Sequence, residues 1–213
     1  MPNYADINGR PMKKLQIQQY LRKLQLNDFE PAVNLATLTK LQDAHLKYIP
    51  YENFDCLNGK ITSLKRQDMF NKVIMHNRGG ICFELNGLYN WLLESLGFDV
   101  TSYSARFIDK METYQLRRHR VMCVALGDKR YLTDVGVNSE SPRVPLEITE
   151  GLIQSDGISQ YKFTRSEFWG WLLWQKERGK IWKRLFGFTE EPQIDKDFIT
   201  ASFWCDAHPD SPF

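Results

Sequence analysis

The sequence lacks the features of membrane, exported and metal-cluster proteins. It has no apolar run long enough to cross a membrane, and its start, from Met1 to Lys14, is polar and has no apolar core like that of a signal peptide. The four cysteines form no Cys-x-x-Cys pair and the four histidines are widely spaced, so no metal site is predicted. These absences predict a cytoplasmic protein with free thiols.

The sequence also has no large excess of positive or negative charge. The net charge is +2 and no dense Lys/Arg block occurs, so neither nucleic acid nor a membrane surface is expected as a partner. The 213 residues, 42% of them hydrophobic, are enough to bury a core. Apolar residues recur at helical spacing up to Gly97, and short strand-like segments follow. This order favours an α+β fold.

The stretch from Arg78 to Asn86 carries the clearest chemical signal. Gly79 and Gly80 allow close backbone approach, and Cys82 follows at the start of an apolar helix. Unpaired N–H groups and partial positive charge at a helix start favour a thiolate, which is the nucleophilic form of cysteine. The same N–H groups could hold an oxyanion. The alternative, a small buried cysteine in a helix cap, stays open at this point.

A thiol nucleophile needs a base, and the base needs an orienting group. Gly127-Asp128 suits a two-residue turn between two strands, and that turn would set Asp134 opposite Val121. His119 shares the sheet face of Val121, so Asp134 becomes its diagonal neighbour, about 7–8 Å away between backbones. An Asp in that place fixes the histidine tautomer and stabilises the imidazolium. An ordinary polar pair at a strand edge is the alternative.

Several segments resemble, in chain order, the motifs of the arylamine N-acetyltransferases. The matching segments are Ile49–Phe54, Arg78–Asn86, His119 with the apolar strand after it, Leu132–Gly136, Glu191-Pro192, Asp197-Phe198 and Pro209–Phe213. The resemblance therefore runs nearly from one end of the chain to the other. It implies a catalytic triad like that of the cysteine proteases, formed by Cys82, His119 and Asp134.

The resemblance also implies the reaction and its partners. Acetyl-CoA would acetylate the Cys82 thiol, CoA would leave, and an arylamine, hydrazine or N-hydroxyarylamine would accept the acetyl group, as in xenobiotic metabolism. The resemblance implies no metal cofactor. Arg78 and Glu52 resemble an ion pair that supports the nucleophile loop. The implied binding residues are Val137, Phe83 and Tyr51 for the acceptor substrate and Trp204 for CoA.

The resemblance further implies three parts of the chain. Residues 1–97 form an N-terminal helical bundle that carries the nucleophile, 98–200 a central β-barrel, and 201–213 the start of a truncated α/β lid. Relatives continue beyond the position of Phe213, so weak turnover and self-association through the incomplete lid are expected. Val137 and Asn138 stand where relatives have an aromatic residue and a glycine, which leaves the acceptor size preference open.

Two other functions fit the same residues. A thiol hydrolase or transglutaminase-like enzyme could use cysteine, histidine and aspartate in this order, because geometry and roles define a triad. Acyl transfer to water instead of an amine would distinguish a hydrolase. A non-catalytic homologue with the same fold is the third possibility, since a fold does not guarantee a function.

Overall fold

The helices come first along the chain. The computed structural model of the protein describes residues 8–108, 115–137 and 140–213, so Asn138 lies outside the described residues. The helical segments are α1 Lys14–Lys23, α2 Leu35–Tyr48, α3 Phe54–Leu57, α4 Arg66–Phe70, a π-helical turn Asn71–Met75, and α5 Cys82–Ser95. No helix in these described ranges is long and apolar enough to cross a membrane.

The central helix α5 is buried on all sides over most of its length. Every residue from Cys82 to Leu93 is buried, which explains why apolar residues occur on more than one face of this helix. Gly97 follows the helix with a φ of 91°, a left-handed conformation that favours glycine. The predicted start near Cys82 and stop near Gly97 are therefore both present. Burial of α5 fixes the position of its first residue within the core.

The strands follow the helices and form one antiparallel sheet. Their bounds are β1 Asp99–Phe107, β2 His119–Leu126, β3 Lys129–Thr133, β4 Leu146–Glu147, β5 Gln154–Ser155, β6 Ser159–Ser166, β7 Gly170–Glu177 and β8 Lys183–Gln193. Their order in the sheet is β4-β3-β2-β1-β8-β7-β6-β5. A bridge between Glu150 and Phe163 returns the chain after β4 to β6, so the sheet nearly closes into a barrel.

The β2–β3 hairpin has the predicted register. Leu126 pairs with Lys129 around the two-residue turn, and Met122 pairs with Thr133 at the other end of the ladder. Continuing this register by one residue sets Asp134 against Val121. Successive side chains of a strand point to opposite faces, so β2 packs Met122 on the helices and Val121 inside the barrel. His119 shares the inner face of the strand with Val121.

A last helix, α6 Ile199–Ala207, follows a 3₁₀ turn at Asp195–Phe198. It packs Cys205 into the same apolar cluster as Cys82, and the Phe83 and Phe198 rings lie 6.0 Å apart. Helix α6 therefore covers the start of α5. The strands end at Gln193, and the predicted boundaries at 97/98 and 200/201 stay predictions.

Candidate functional site: a buried cysteine, histidine and aspartate

Cys82 is the first residue of α5, and a glycine loop leads into it. A Cβ atom on Gly79 would lie 2.0 Å from the Pro50 carbonyl oxygen, and one on Gly80 would lie 2.6 Å from Glu84 Oε2. Position 79 therefore requires glycine because backbone obstructs a side chain there, whereas a side chain at position 80 would have to displace the Glu84 carboxylate. The Glu84 carboxylate accepts the Ile81 N–H at 3.0 Å, which ends the loop and starts the helix. The contact of Gly79 with the Pro50 carbonyl and the hydrogen bond from the Ile81 N–H to Glu84 thus fix where Cys82 lies at the start of the helix.

Ion pairs hold the same loop from outside. Arg78 lies 2.8 Å from Glu52 and 3.2 Å from Asp55, and Lys72 lies 2.8 Å from both Asp55 and Glu84. The Arg78–Glu52 contact is the one that the sequence predicted. Because most of these groups are at least partly removed from solvent, their mutual attraction is screened less than that of surface pairs. The network supports the loop that carries the nucleophile candidate.

His119 and Asp134 meet inside the protein. His119 Nε2 lies 2.7 Å from Asp134 Oδ2, with exposed fractions of 0% and 1% for the two residues. An ionised carboxylate only accepts hydrogen bonds, so Nε2 carries the ring proton and Nδ1 is left as the basic nitrogen. Within the described residues, Nδ1 has no hydrogen-bond partner. A base with one nitrogen fixed and one available is what the sequence argument required.

Asn86 joins the helix to this pair. Its Nδ2 donates to Asp134 Oδ1 at 2.8 Å and to the Arg120 carbonyl at 2.5 Å, and its Oδ1 accepts the Val135 N–H at 2.8 Å. Sequence reasoning gave Asn86 no role. The signal was its spacing, because residues four apart on a helix share a face and Asn86 therefore lies on the face of Cys82.

Cys82 packs against the strand that carries His119 and against the segment after Asp134. Its Sγ lies 3.7 Å from the carbonyl oxygen of Arg118, the residue before His119. A Cβ atom on Gly136 would lie 2.8 Å from Cys82 Cα, so only glycine permits this approach. The structure thus brings Cys82 into contact with the residue before His119 and with the segment after Asp134.

Burial disfavours the charged form of the thiol. It raises the pKa of Cys82 well above its ordinary value, Cys205 and the Asp134 carboxylate raise it further, and the Arg118 guanidinium lowers it. Burial also raises the pKa of Cys56 to about 12 and the pKa values of Cys123 and Cys205 to about 11. Cys82 differs from the other three because its Sγ lies against the backbone of Arg118, the residue before His119.

A cavity of about 480 Å³ opens beside this cluster. Its walls include Tyr51, Val137 and Gly136, and two of them, Gly136 and Tyr51, also adjoin Cys82 or its apolar cluster. A small aromatic molecule fits a pocket of this size and character. Two predicted binding residues, Tyr51 and Val137, therefore face the cavity.

The other two predicted binding residues lie elsewhere. Phe83 is buried beside Cys82 against Phe198, outside the lining of this cavity. Trp204, on α6, stacks on His208 with 5.0 Å between ring centroids and packs against the cluster of Cys82. In the described parts of the chain, no group of three or more His, Cys, Asp or Glu side chains is arranged to hold a metal ion.

The fold and the site together define a class: mixed helix-and-barrel proteins in which a helix-start cysteine packs against the segment that leads into a buried histidine–aspartate pair. The sequence profile of the N-acetyltransferase family matches residues 34–213. The chain is 35% identical to an arylamine N-acetyltransferase of Mycolicibacterium smegmatis, over 91% of this chain and 72% of that protein. It is 31% identical to an arylamine N-acetyltransferase of Escherichia coli K12, over 85% of this chain and 64% of that protein.

Solved structures agree with the sequence comparison. The Mycobacterium marinum arylamine N-acetyltransferase in complex with CoA matches with a TM-score of 0.84 and 26% identity, over 92% of this chain and 73% of that one. The chain thus spans between 64% and 73% of the length of these three relatives. It belongs to the arylamine N-acetyltransferase family, which is a family of acyltransferase enzymes.

Proposed function

We propose that this protein transfers an acetyl group from acetyl-CoA to an arylamine, a hydrazine or an N-hydroxyarylamine through a thioester on Cys82. One observation carries the proposal: Asp134 holds His119 Nε2 at 2.7 Å, and the other ring nitrogen is free beside the Cys82 segment. The proposal is supported by the CoA complex of the Mycobacterium marinum relative, whose fold this chain shares.

In the first half-reaction, His119 Nδ1 takes the proton of the Cys82 thiol. The resulting thiolate attacks the carbonyl carbon of acetyl-CoA, and a tetrahedral oxyanion forms. The Glu84 and Leu85 N–H groups already donate to the Ile81 carbonyl, so the N–H groups of Cys82 and Phe83, at the very start of α5, are the ones that can stabilise that oxyanion. The carbon–sulfur bond to CoA then breaks. His119 returns the proton to the CoA thiolate, and acetyl-Cys82 remains.

In the second half-reaction, the acceptor amine attacks the thioester carbonyl of acetyl-Cys82. His119 takes a proton from the nitrogen, the bond from the carbonyl carbon to Cys82 Sγ breaks, and the acetylated amine leaves. The Cys82 thiolate regains its proton from His119. Asp134 stabilises the imidazolium in both half-reactions and keeps the ring in one tautomer.

We assign the acceptor to the cavity that Tyr51 and Val137 line; Phe83, which packs on Phe198 outside that lining, is assigned to support Cys82 and not to contact the acceptor. Trp204 is assigned to the CoA side of the site, where its ring could contact the donor. The exposed fraction of Cys82 is 3%, which disfavours free access of water and hence hydrolysis as the main reaction. We also propose a reducing, cytoplasmic setting, because all four cysteines are free thiols.

The two half-reactions give separate tests. Acetyl-CoA without acceptor should release one CoA per chain in a burst, and an arylamine added afterwards should restore steady turnover. Cys82→Ala should abolish the burst, whereas Cys123→Ala, at a buried cysteine inside the barrel, should keep it. Steady CoA release without any amine would indicate a hydrolase, and a burst that survives Cys82→Ala would exclude Cys82 as the nucleophile.

A further inference from the structure

Arg118 places a cationic group in the wall of the cavity beside Cys82. Its guanidinium donates to Gln115 Oε1 at 3.1 Å and 3.3 Å and lies 5.4 Å from the Phe107 ring centroid. Neither neighbour is acidic. Within the described residues, Arg118 forms no ion pair, and its side chain is only partly buried. An available guanidinium next to a pocket is unusual enough to suggest a ligand.

The cations nearest to Arg118 along the chain and around the cavity are already paired. Arg117 lies 3.4 Å from Glu191, and Lys183 pairs with both Glu140 and Glu177. Their charge is therefore balanced by the protein itself. Arg118 is the cation in this cavity wall, within the described part of the chain, whose charge a bound molecule can still balance.

The position of Arg118 relative to the reacting groups fits a substituted aromatic ring. The Phe107 ring lies 5.2 Å from the His119 ring and 5.4 Å from the Arg118 guanidinium, so one aromatic ring in the cavity wall contacts both groups. An aromatic substrate that extends along this wall would have its reacting end near His119 and its far substituent near Arg118. A guanidinium binds a carboxylate through two parallel hydrogen bonds, which gives both affinity and orientation.

We propose that Arg118 selects substrates that carry a carboxylate, by pairing with that group when the substrate occupies the cavity beside Cys82. This inference rests on the function proposed above. The carboxylate can belong to the acceptor amine or to the acyl group of the donor, and the chemistry of recognition is the same. A hydrogen bond to a charged group should favour the anionic substrate roughly tenfold to a hundredfold over a neutral analogue.

Arg118 has a second effect that the test must separate. Its guanidinium also lowers the pKa of the Cys82 thiol, so removing it should slow thiolate formation with every substrate. A loss common to all substrates cancels in a ratio of two kcat/KM values. The ratio of kcat/KM for a carboxylate substrate to kcat/KM for its neutral analogue therefore reports only the pairing of Arg118 with the carboxylate.

The experiment compares kcat/KM ratios in two arms. One arm uses para-aminobenzoate against para-aminobenzamide as acceptors with acetyl-CoA, and the other uses succinyl-CoA against butyryl-CoA as donors with a neutral amine. Arg118→Gln should reduce the ratio at least about tenfold in one arm, mostly through KM, and Arg118→Lys should restore part of it. Arg117→Gln, an equal charge change at a paired and exposed neighbour, should leave both ratios unchanged.

The outcomes separate this inference from the proposed function. If acetyl-CoA forms no acetyl-Cys82 in the unaltered protein, the proposed function is wrong and the inference fails with it. If acetyl-Cys82 forms but Arg118→Gln and Arg118→Lys leave both ratios as they were, the inference alone is wrong. Thermal unfolding of each variant shows whether the fold is kept, and Arg118→Lys supplies the test if Arg118→Gln does not fold.

Discussion

Replacing Asp134 by asparagine should change His119 Nε2 from a hydrogen-bond donor to an acceptor, and it should leave the fold in place. Asp134 Oδ1 accepts the Asn86 amide and the Gly136 N–H, both at 2.8 Å. An asparagine at 134 must keep its oxygen there, because an NH₂ group facing those two donors would lose both hydrogen bonds at about 1–3 kcal/mol each. The NH₂ group of the asparagine would then face His119 Nε2.

The consequence for catalysis follows from the tautomer. A donor at Nε2 forces that nitrogen to accept, so the ring proton moves to Nδ1 and His119 can no longer take the proton of Cys82. Loss of the correct tautomer in a triad of this kind costs a factor of about 10⁴ in rate. The hydrogen bonds of residue 134 are all kept in the variant, and His119 Nδ1 lacks a partner in both proteins, so we expect only a small change in the unfolding midpoint.

The assay is single-turnover acetylation of the protein by acetyl-CoA, quenched at intervals and read by intact mass. Asp128→Asn makes the same chemical change at the exposed turn of the β2–β3 hairpin, and it should acetylate at the normal rate. Acetylation of Asp134→Asn within about tenfold of the unaltered rate would refute the reasoning. It would show that Asp134 has only a structural role.

Three further changes test the site and its surroundings. Gly136→Ala should destabilise the protein by about 1–3 kcal/mol and slow acetylation, because its Cβ would lie 2.8 Å from Cys82 Cα; unchanged thermal unfolding would contradict this close contact. Burial lowers the pKa of His45 from 6.5 to about 3, so the unfolded chain binds a proton that the folded chain does not, and stability should fall as pH drops between these values. Denaturant unfolding should show a slope of up to about 1.4 kcal/mol per pH unit that His45→Phe removes; an equal slope in both proteins would contradict this. Val137→Phe should reduce kcat/KM for bulky arylamines roughly tenfold to a few hundredfold more than for small ones, whereas parallel losses would place Val137 outside the acceptor pocket.

The local parts of the site were predictable because short-range rules fix them. Gly127-Asp128 set the turn, the turn set the register, and the register set Asp134 against Val121. The start of α5 at Cys82 followed from the two glycines and the apolar face of the helix. Each of these inferences uses residues that are near one another in the chain or joined by one tight turn.

The long-range parts were not predictable in the same way. Nothing local indicates that α6 packs Cys205 into the cluster of Cys82, more than one hundred residues earlier in the chain. The role of Asn86 needed the position of Asp134 relative to α5, and the opening of Arg118 toward a cavity needed the closure of the sheet. These contacts depend on tertiary packing, which composition and periodicity do not encode.

The central claim is that Cys82 receives the acetyl group, and peptide mapping after incubation with acetyl-CoA tests it most directly. The protein is treated with acetyl-CoA in the absence of an amine, its intact mass is measured, and the modified peptide is located among those that hold Cys56, Cys82, Cys123 and Cys205. We predict one acetyl group per chain, located on Cys82 and removed when an arylamine is added. An acetyl group on another cysteine, or none at all, would contradict the account.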